Sequence, residues 1–110
     1  MVVKEYEVFI FNIIKTKGWD AKVTKINGDQ FDIIATLNHT TILVRCKFST
    51  LPVDNHAVQQ VEAAKNRYMA THGIMVSNSV YTKSAKELAY SYDIKLLHHN
   101  ELADYLSSLN

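Results

Sequence analysis

The 110-residue chain carries 12 basic and 11 acidic side chains for a formal net charge of +1, with 47% hydrophobic and 21% charged residues. Those values fit one globular domain spanning 1–110, and they provide no chain-wide basic field to support nucleic-acid binding. Cys46 is the sole cysteine, which excludes an internal disulfide. The apolar stretches fall far short of the roughly 20 residues a membrane helix needs. No leader-like opening is present, so the expectation is a protein of the cytoplasm with no membrane partner.

Tyr6, Phe9, Ile10, Ile13 and Ile14 recur at the three-and-four spacing of one helical face. Lys15 and Lys17 suit a helix C-terminus, so a first helix should end before Gly18. Trp19, Ala21 and Val23 then alternate with polar residues as a half-buried strand does, running into a turn at Asn27-Gly28-Asp29. Phe31 to Leu37 and Thr41 to Phe48 form two β-rich runs around Asn38-His39-Thr40, the pattern of an antiparallel hairpin.

Pro52 and Asp54 break that pattern, and Val58, Val61, Ala64 and Tyr68 restart a helical one that should stop before Gly73. Ile74-Met75-Val76 is short and wholly apolar, as an inner parallel strand covered on both faces would be. Thr82 suits the cap of a helix carrying Ala85, Leu88 and Ala89. Ile94 to Leu97 reads as a further strand, and Asn100 as the cap of a last helix. The order αβββαβαβα implies an α/β fold in which a mixed five-stranded sheet is flanked by helices. An antiparallel meander comes first, followed by parallel strands on right-handed crossovers.

Alternation within the hairpin places the charged residues. If Phe31, Ile33, Ala35 and Leu37 share a face with Ile42, Val44, Cys46 and Phe48, paired residue numbers have an odd sum. Asp32, Arg45 and Lys47 then share the opposite face with Ile34 and Leu43, at the edge of a covered surface. A carboxylate can hold Mg²⁺, the ion can polarise a phosphate and acidify a bound water, and a lysine can position that water. Asp32 and Lys47 fit those roles, and Glu7 on the first helix could add an oxygen. Spacing alone says little, because Asp followed by Lys across a hairpin is common and ordinarily reads as a partly exposed ion pair.

A longer ordered series sharpens this reading. Gly18-Trp19, Gly28-Asp29, Phe31-Asp32-Ile33-Ile34-Ala35 and Ile42-Leu43-Val44-Arg45-Cys46-Lys47 are followed by Ala57-Val58-Gln59-Gln60 and Ala63-Ala64-Lys65. Gly73-Ile74-Met75-Val76-Ser77-Asn78-Ser79 and the run Tyr81 to Ala89 complete it. This series resembles the Mrr-type restriction endonuclease domain, one of the PD-(D/E)xK nucleases, over almost the whole chain. The resemblance implies a restriction-endonuclease-like fold acting on DNA with Mg²⁺ or Mn²⁺. It implies metal ligation by Asp32, by Glu7 and by the backbone carbonyl of Cys46, and a catalytic Lys47. Gln60 matches a polar position near the site, and Asp29 matches the family's first acidic residue, with a loop shorter by one. It also allows a homodimer or a separate target-recognition subunit, and a resolvase of branched DNA is a variant of the same reading.

Arg45 departs from the family pattern, which has glutamine or glutamate there. A guanidinium is always charged and has no acceptor, so it repels Mg²⁺. Either Glu7 or Glu62 supplies the missing ligand while Arg45 turns to a DNA phosphate, or Arg45 pairs with Asp32 and the domain keeps only binding. Ser77, Asn78, Thr82 and Lys83 lie where a parallel strand meets a helix, a place suited to an anion, although a turn and an N-cap are the more ordinary account of Asn78 and Thr82 and need no ligand. Lys65, Arg67 and Lys86 could add phosphate contacts or be simply solvated. Cys46 reads as a small buried residue. His39, His56, His72, His98 and His99 lack ligand spacing, the last two pointing to opposite faces if both lie on a strand.

Overall fold

The computed structural model describes residues 2–27 and 30–109. Helix α1 (Val3–Thr16) leads into strands β1 (Asp20–Asn27), β2 (Gln30–Leu37) and β3 (Thr40–Lys47). Helix α2 (Asn55–Arg67), β4 (His72–Ser77), α3 (Lys83–Tyr92), β5 (Ile94–His98) and α4 (Leu102–Ser108) follow, with a 3-10 turn at His99–Glu101 before α4. The strands form one sheet in the order β1-β2-β3-β4-β5, the first two pairings antiparallel and the last two parallel. This is the mixed α/β sheet expected from the element order. Gly28 and Asp29 lie outside the described residues, so the expected turn there and the Asp29 correspondence do too.

Strand alternation divides the interior into two cores. Phe31, Ile33, Ala35, Ile42, Val44 and Cys46 face one side, where they pack with Tyr6, Ile10 and Ile14 of α1 and with Leu102 and Leu106 of α4. Leu43 and Met75 face the other, against Val58 and Val61 of α2 and Ala85 and Ala89 of α3. Each fully buried Ile or Leu contributes about 1.5–3 kcal/mol, so both faces hold the register of β3 and β4 firmly. The paired residues across the hairpin, from Gln30 with Lys47 to Leu37 with Thr40, have the expected odd sum.

Local chemistry sets the ends of the elements. Gly18 adopts φ +93°, a left-handed conformation that lets the chain leave α1. The Asp54 carboxylate accepts from the His56 N–H at the start of α2, and the Thr82 hydroxyl accepts from the Ala85 N–H at the start of α3.

Two expectations are corrected. Asn100 does not cap the last helix: it lies inside the 3-10 turn, where its N–H donates to His98 Nδ1 at 3.2 Å. The Glu101 side chain in return accepts from the His98 N–H at 2.8 Å, so the reciprocal capping is made by His98 and Glu101 at the 3-10 turn, one turn before α4. His98 and His99 also do not point to opposite faces. His99 has already left the strand, and the two rings lie 4.0 Å apart between centroids.

Candidate functional site

Asp32, near the start of β2, and Arg45, near the end of β3, stand directly opposite each other. Both side chains leave the sheet on the α2 side. Asp32 is 2% and Arg45 9% exposed. Arg45 Nε donates to Asp32 Oδ1 at 2.7 Å and Arg45 Nη2 donates to Asp32 Oδ2 at 2.9 Å, a two-point pairing that engages both carboxylate oxygens. Arg45 Nη1 also donates to the Gln60 side-chain oxygen at 3.1 Å, so α2 fixes the guanidinium from above. Taking either charge from water is costly, and mutual pairing in good geometry offsets that cost.

A cleft of about 170 Å³ opens beside this pair between α2 and the start of β2, with Gln30, Gln60, Ala63 and Arg67 on its walls. Lys47 lies one alternation step beyond Arg45 and is half-buried, opposite Gln30 on β2 and Ser77 on β4. It lines a separate cleft with the segment from Phe48 to Pro52, and among the described residues no hydrogen bond or ion pair engages its ammonium. Asp32, Arg45 and Lys47 therefore share a face, but only the first two interact.

Glu7 comes from the other side of the sheet. Its helix packs on the opposite face of the sheet, where Glu7 is 8% exposed and pairs with Lys4 at 3.3 Å. No hydrogen bond or ion pair among the described residues joins it to Asp32, Arg45 or Lys47. Glu62 pairs with Lys65 at 4.0 Å on α2. The Cys46 main chain runs in the ladder between Phe31 and Val76, and its side chain is buried on the α1 side. Burial pushes the Cys46 thiol well above its ordinary range; the Asp32 and Glu7 carboxylates raise it further while Arg45 opposes them. A buried protonated thiol is a poor nucleophile.

The residues expected at the β4–α3 junction serve the fold. Asn78 Oδ1 accepts from the Ser49 N–H at 2.8 Å, tying the loop after β3 to the loop after β4. Thr82 caps α3, and exposed Lys83 sits 3.9 Å from Glu87. None of the three lines the cleft beside Asp32. Gln30 was not singled out from the sequence, although its place two residues before Asp32 puts it on the same strand face. Arg67 stood among several basic residues of the helices, and only the packing of α2 over the sheet brings it to this cleft.

The donor set does not fit Mg²⁺ in this arrangement. Both Asp32 oxygens are taken by a group that carries positive charge and offers no acceptor. Among the described residues, no group of three or more His, Cys, Asp and Glu side chains is placed to hold a metal ion.

The model of the restriction endonuclease family built on the Mrr catalytic domain matches residues 1–106. The chain belongs to this family. Two solved structures share the fold of this restriction endonuclease domain at low identity. A protein of unknown function, AF1548, superposes with a TM-score of 0.71 and 18% identity over 87% of this chain and 58% of its own. EndoMS in apo form superposes with a TM-score of 0.63 and 17% identity over 87% of this chain and 45% of its own. The domain thus spans about half the length of the solved chains it resembles. No curated protein matches it. No helix among the described residues is long and apolar enough to cross a membrane.

Proposed function

We propose that this restriction endonuclease domain binds DNA but does not hydrolyse it with its natural sequence, because Arg45 occupies the carboxylate on which metal chemistry would depend. The observation that carries this reading is the buried two-point pairing of Arg45 with Asp32, completed by Gln60. Releasing Asp32 for a metal would leave a guanidinium buried without its counter-charge, a state that costs about 3–5 kcal/mol in comparable sites. Family membership supports DNA as the partner, and Lys47 at the end of β3, whose ammonium has no partner among the described residues, supplies a cation for its backbone.

A second reading is a Mg²⁺- or Mn²⁺-dependent endonuclease, non-specific or structure-specific, in which a DNA phosphate draws Arg45 away from Asp32. One observation favours it: Asp32 and Lys47 remain on one face, and the Gln60 amide oxygen, which accepts from Arg45, is a neutral oxygen that could serve as a ligand once Arg45 moves.

The two readings separate on supercoiled plasmid and a branched duplex with Mg²⁺ or Mn²⁺, with gel-shift binding measured in parallel. The expected result is binding without nicking by the natural chain, and nicking by Arg45→Gln. Nicking by the natural chain that Asp32→Ala and Lys47→Ala both abolish would establish the second reading instead.

A further inference from the structure

Helix α4 has no side-chain cap of its own. Its start rests on the 3-10 turn before it, where His98 Nδ1 accepts from the Asn100 N–H at 3.2 Å and the Glu101 carboxylate accepts from the His98 N–H at 2.8 Å. Leu102 and Leu106 of the same helix are buried in the core that α1 covers. The turn therefore decides how α4 enters that core.

Histidine is an unusual acceptor for this place. An imidazole nitrogen accepts only through its lone pair, so His98 must be neutral, with its proton on Nε2, to receive the Asn100 N–H. An Asn or Ser oxygen keeps its acceptor at any ordinary pH, whereas a free imidazole gains a second proton near pH 6.5. A proton on His98 Nδ1 sets two N–H donors against each other, and the cap is lost.

His99 extends the effect to α1. Its ring lies 4.0 Å from that of His98 and edge-on to Phe9 at 5.4 Å, and its Nδ1 is 3.1 Å from the Tyr6 hydroxyl. Two positive rings at that separation repel. Burial, and then the His98 ring, hold His99 below the ordinary histidine range. The remaining titratable and charged groups around the turn are Tyr6 of α1, Tyr81, whose hydroxyl donates to the Leu97 carbonyl, Lys95, which lies over the Tyr105 ring, and the acids Glu101 and Asp104. Burial pushes both Tyr6 and Tyr81 up, so neither changes charge in the acid range.

We propose that the His98–His99 pair is an acid-sensitive latch for α4, in which the neutral rings hold the turn and its helix against α1 and protonation loosens them. The sign follows from the neutral form being the one the fold uses: the latch is closed above about pH 6.5 and weakens as pH falls through and below it. It makes no use of the cleft beside Asp32 and stands whether or not the domain binds DNA.

Amide hydrogen exchange on the full chain tests it, with rates corrected for intrinsic exchange at each pH. Protection of the α4 amides should fall by about fivefold between pH 7.5 and pH 5.5, the worth of one lost cap. His98→Asn, whose side-chain oxygen caps without titrating, should remove that fall, and His99→Phe, which keeps a ring against Phe9 but no charge, should reduce it. In the natural chain the NMR resonance of the Asn100 amide should move with the same midpoint as the His98 ring. Unchanged α4 protection in the natural chain, a fall that persists in His98→Asn, or an Asn100 amide that ignores the His98 titration overturns the latch.

Discussion

Asp32 and Arg45 test how a buried ion pair is valued. Alternation along β2 and β3 was enough to place the two on one face, and the register sets them directly opposite. Asp32→Ala should destabilise the domain by about 3–5 kcal/mol, because it strands a guanidinium that is mostly buried. Replacing both, as Asp32→Leu with Arg45→Met, should cost far less and be close to neutral. Urea unfolding of the single and double variants measures this, and a double variant whose loss equals the sum of the single losses would contradict it. Which partner Arg45 would choose was not legible. Repulsion of Mg²⁺ follows from guanidinium chemistry, but the pairing with Asp32 and Gln60 depends on α2 lying over the end of β3. Gln30 shows the same limit, since its position was readable but the cleft it faces was not.

Elements were legible wherever period or capping chemistry was strong. Tyr6, Ile10 and Ile14 of α1, the inner strand Ile74-Met75-Val76 and the Thr82 cap stand as expected, whereas Phe9 of the same period is exposed at the edge of the helix face. The hairpin turn carries an identifiable strain. Asn38 and His39 have φ of 50° and 70°, the pattern of a two-residue type I′ turn, in which the second position favours glycine. Histidine there adopts a left-handed conformation costing roughly 1–2 kcal/mol. His39→Gly should therefore raise stability, by less than that amount because glycine is also freer in the unfolded chain. A shift of the thermal midpoint upward is the expected readout, and an unchanged or lower midpoint would show that the turn is not strained. The last helix was harder to read because Asn100 has good capping chemistry. It lost the role to its neighbours His98 and Glu101, a choice made by where β5 ends.

At the scale of the whole molecule, the two-sided sheet gives the domain a predictable response to alkali. Burial pushes up the Tyr6 and Tyr81 hydroxyls and the Cys46 thiol, and Cys46 also raises both tyrosines. The Tyr81 hydroxyl donates its one hydrogen to the Leu97 carbonyl at 2.8 Å, with the Met75 carbonyl at 3.2 Å, and the Leu97 contact works against the upward push of burial. As pH rises past about 8.5 for a thiol and about 10 for a phenol, the unfolded chain releases protons that the native chain retains. Stability from these groups is thus full below that window and falls as pH rises through it. Urea midpoints should decline from pH 8 to pH 11, and the decline should be shallower in Tyr6→Phe. A profile that stays flat across that range would contradict the burial assigned to these groups.

The sequence by itself determined the order of elements, the mixed sheet, the shared face of Asp32, Arg45 and Lys47, and the family, because each depends on short-range period or on an ordered series of residues. Tertiary structure decided which of the candidate groups meet. Packing of α1 on one face and α2 on the other separates Glu7 from Asp32, while α2 brings Gln60 to Arg45 and sets Arg67 at the rim of the cleft with Gln30. A strand period of two places each side chain on a face, but contact between faces depends on the layer that covers them, and that layer comes from residues distant along the chain.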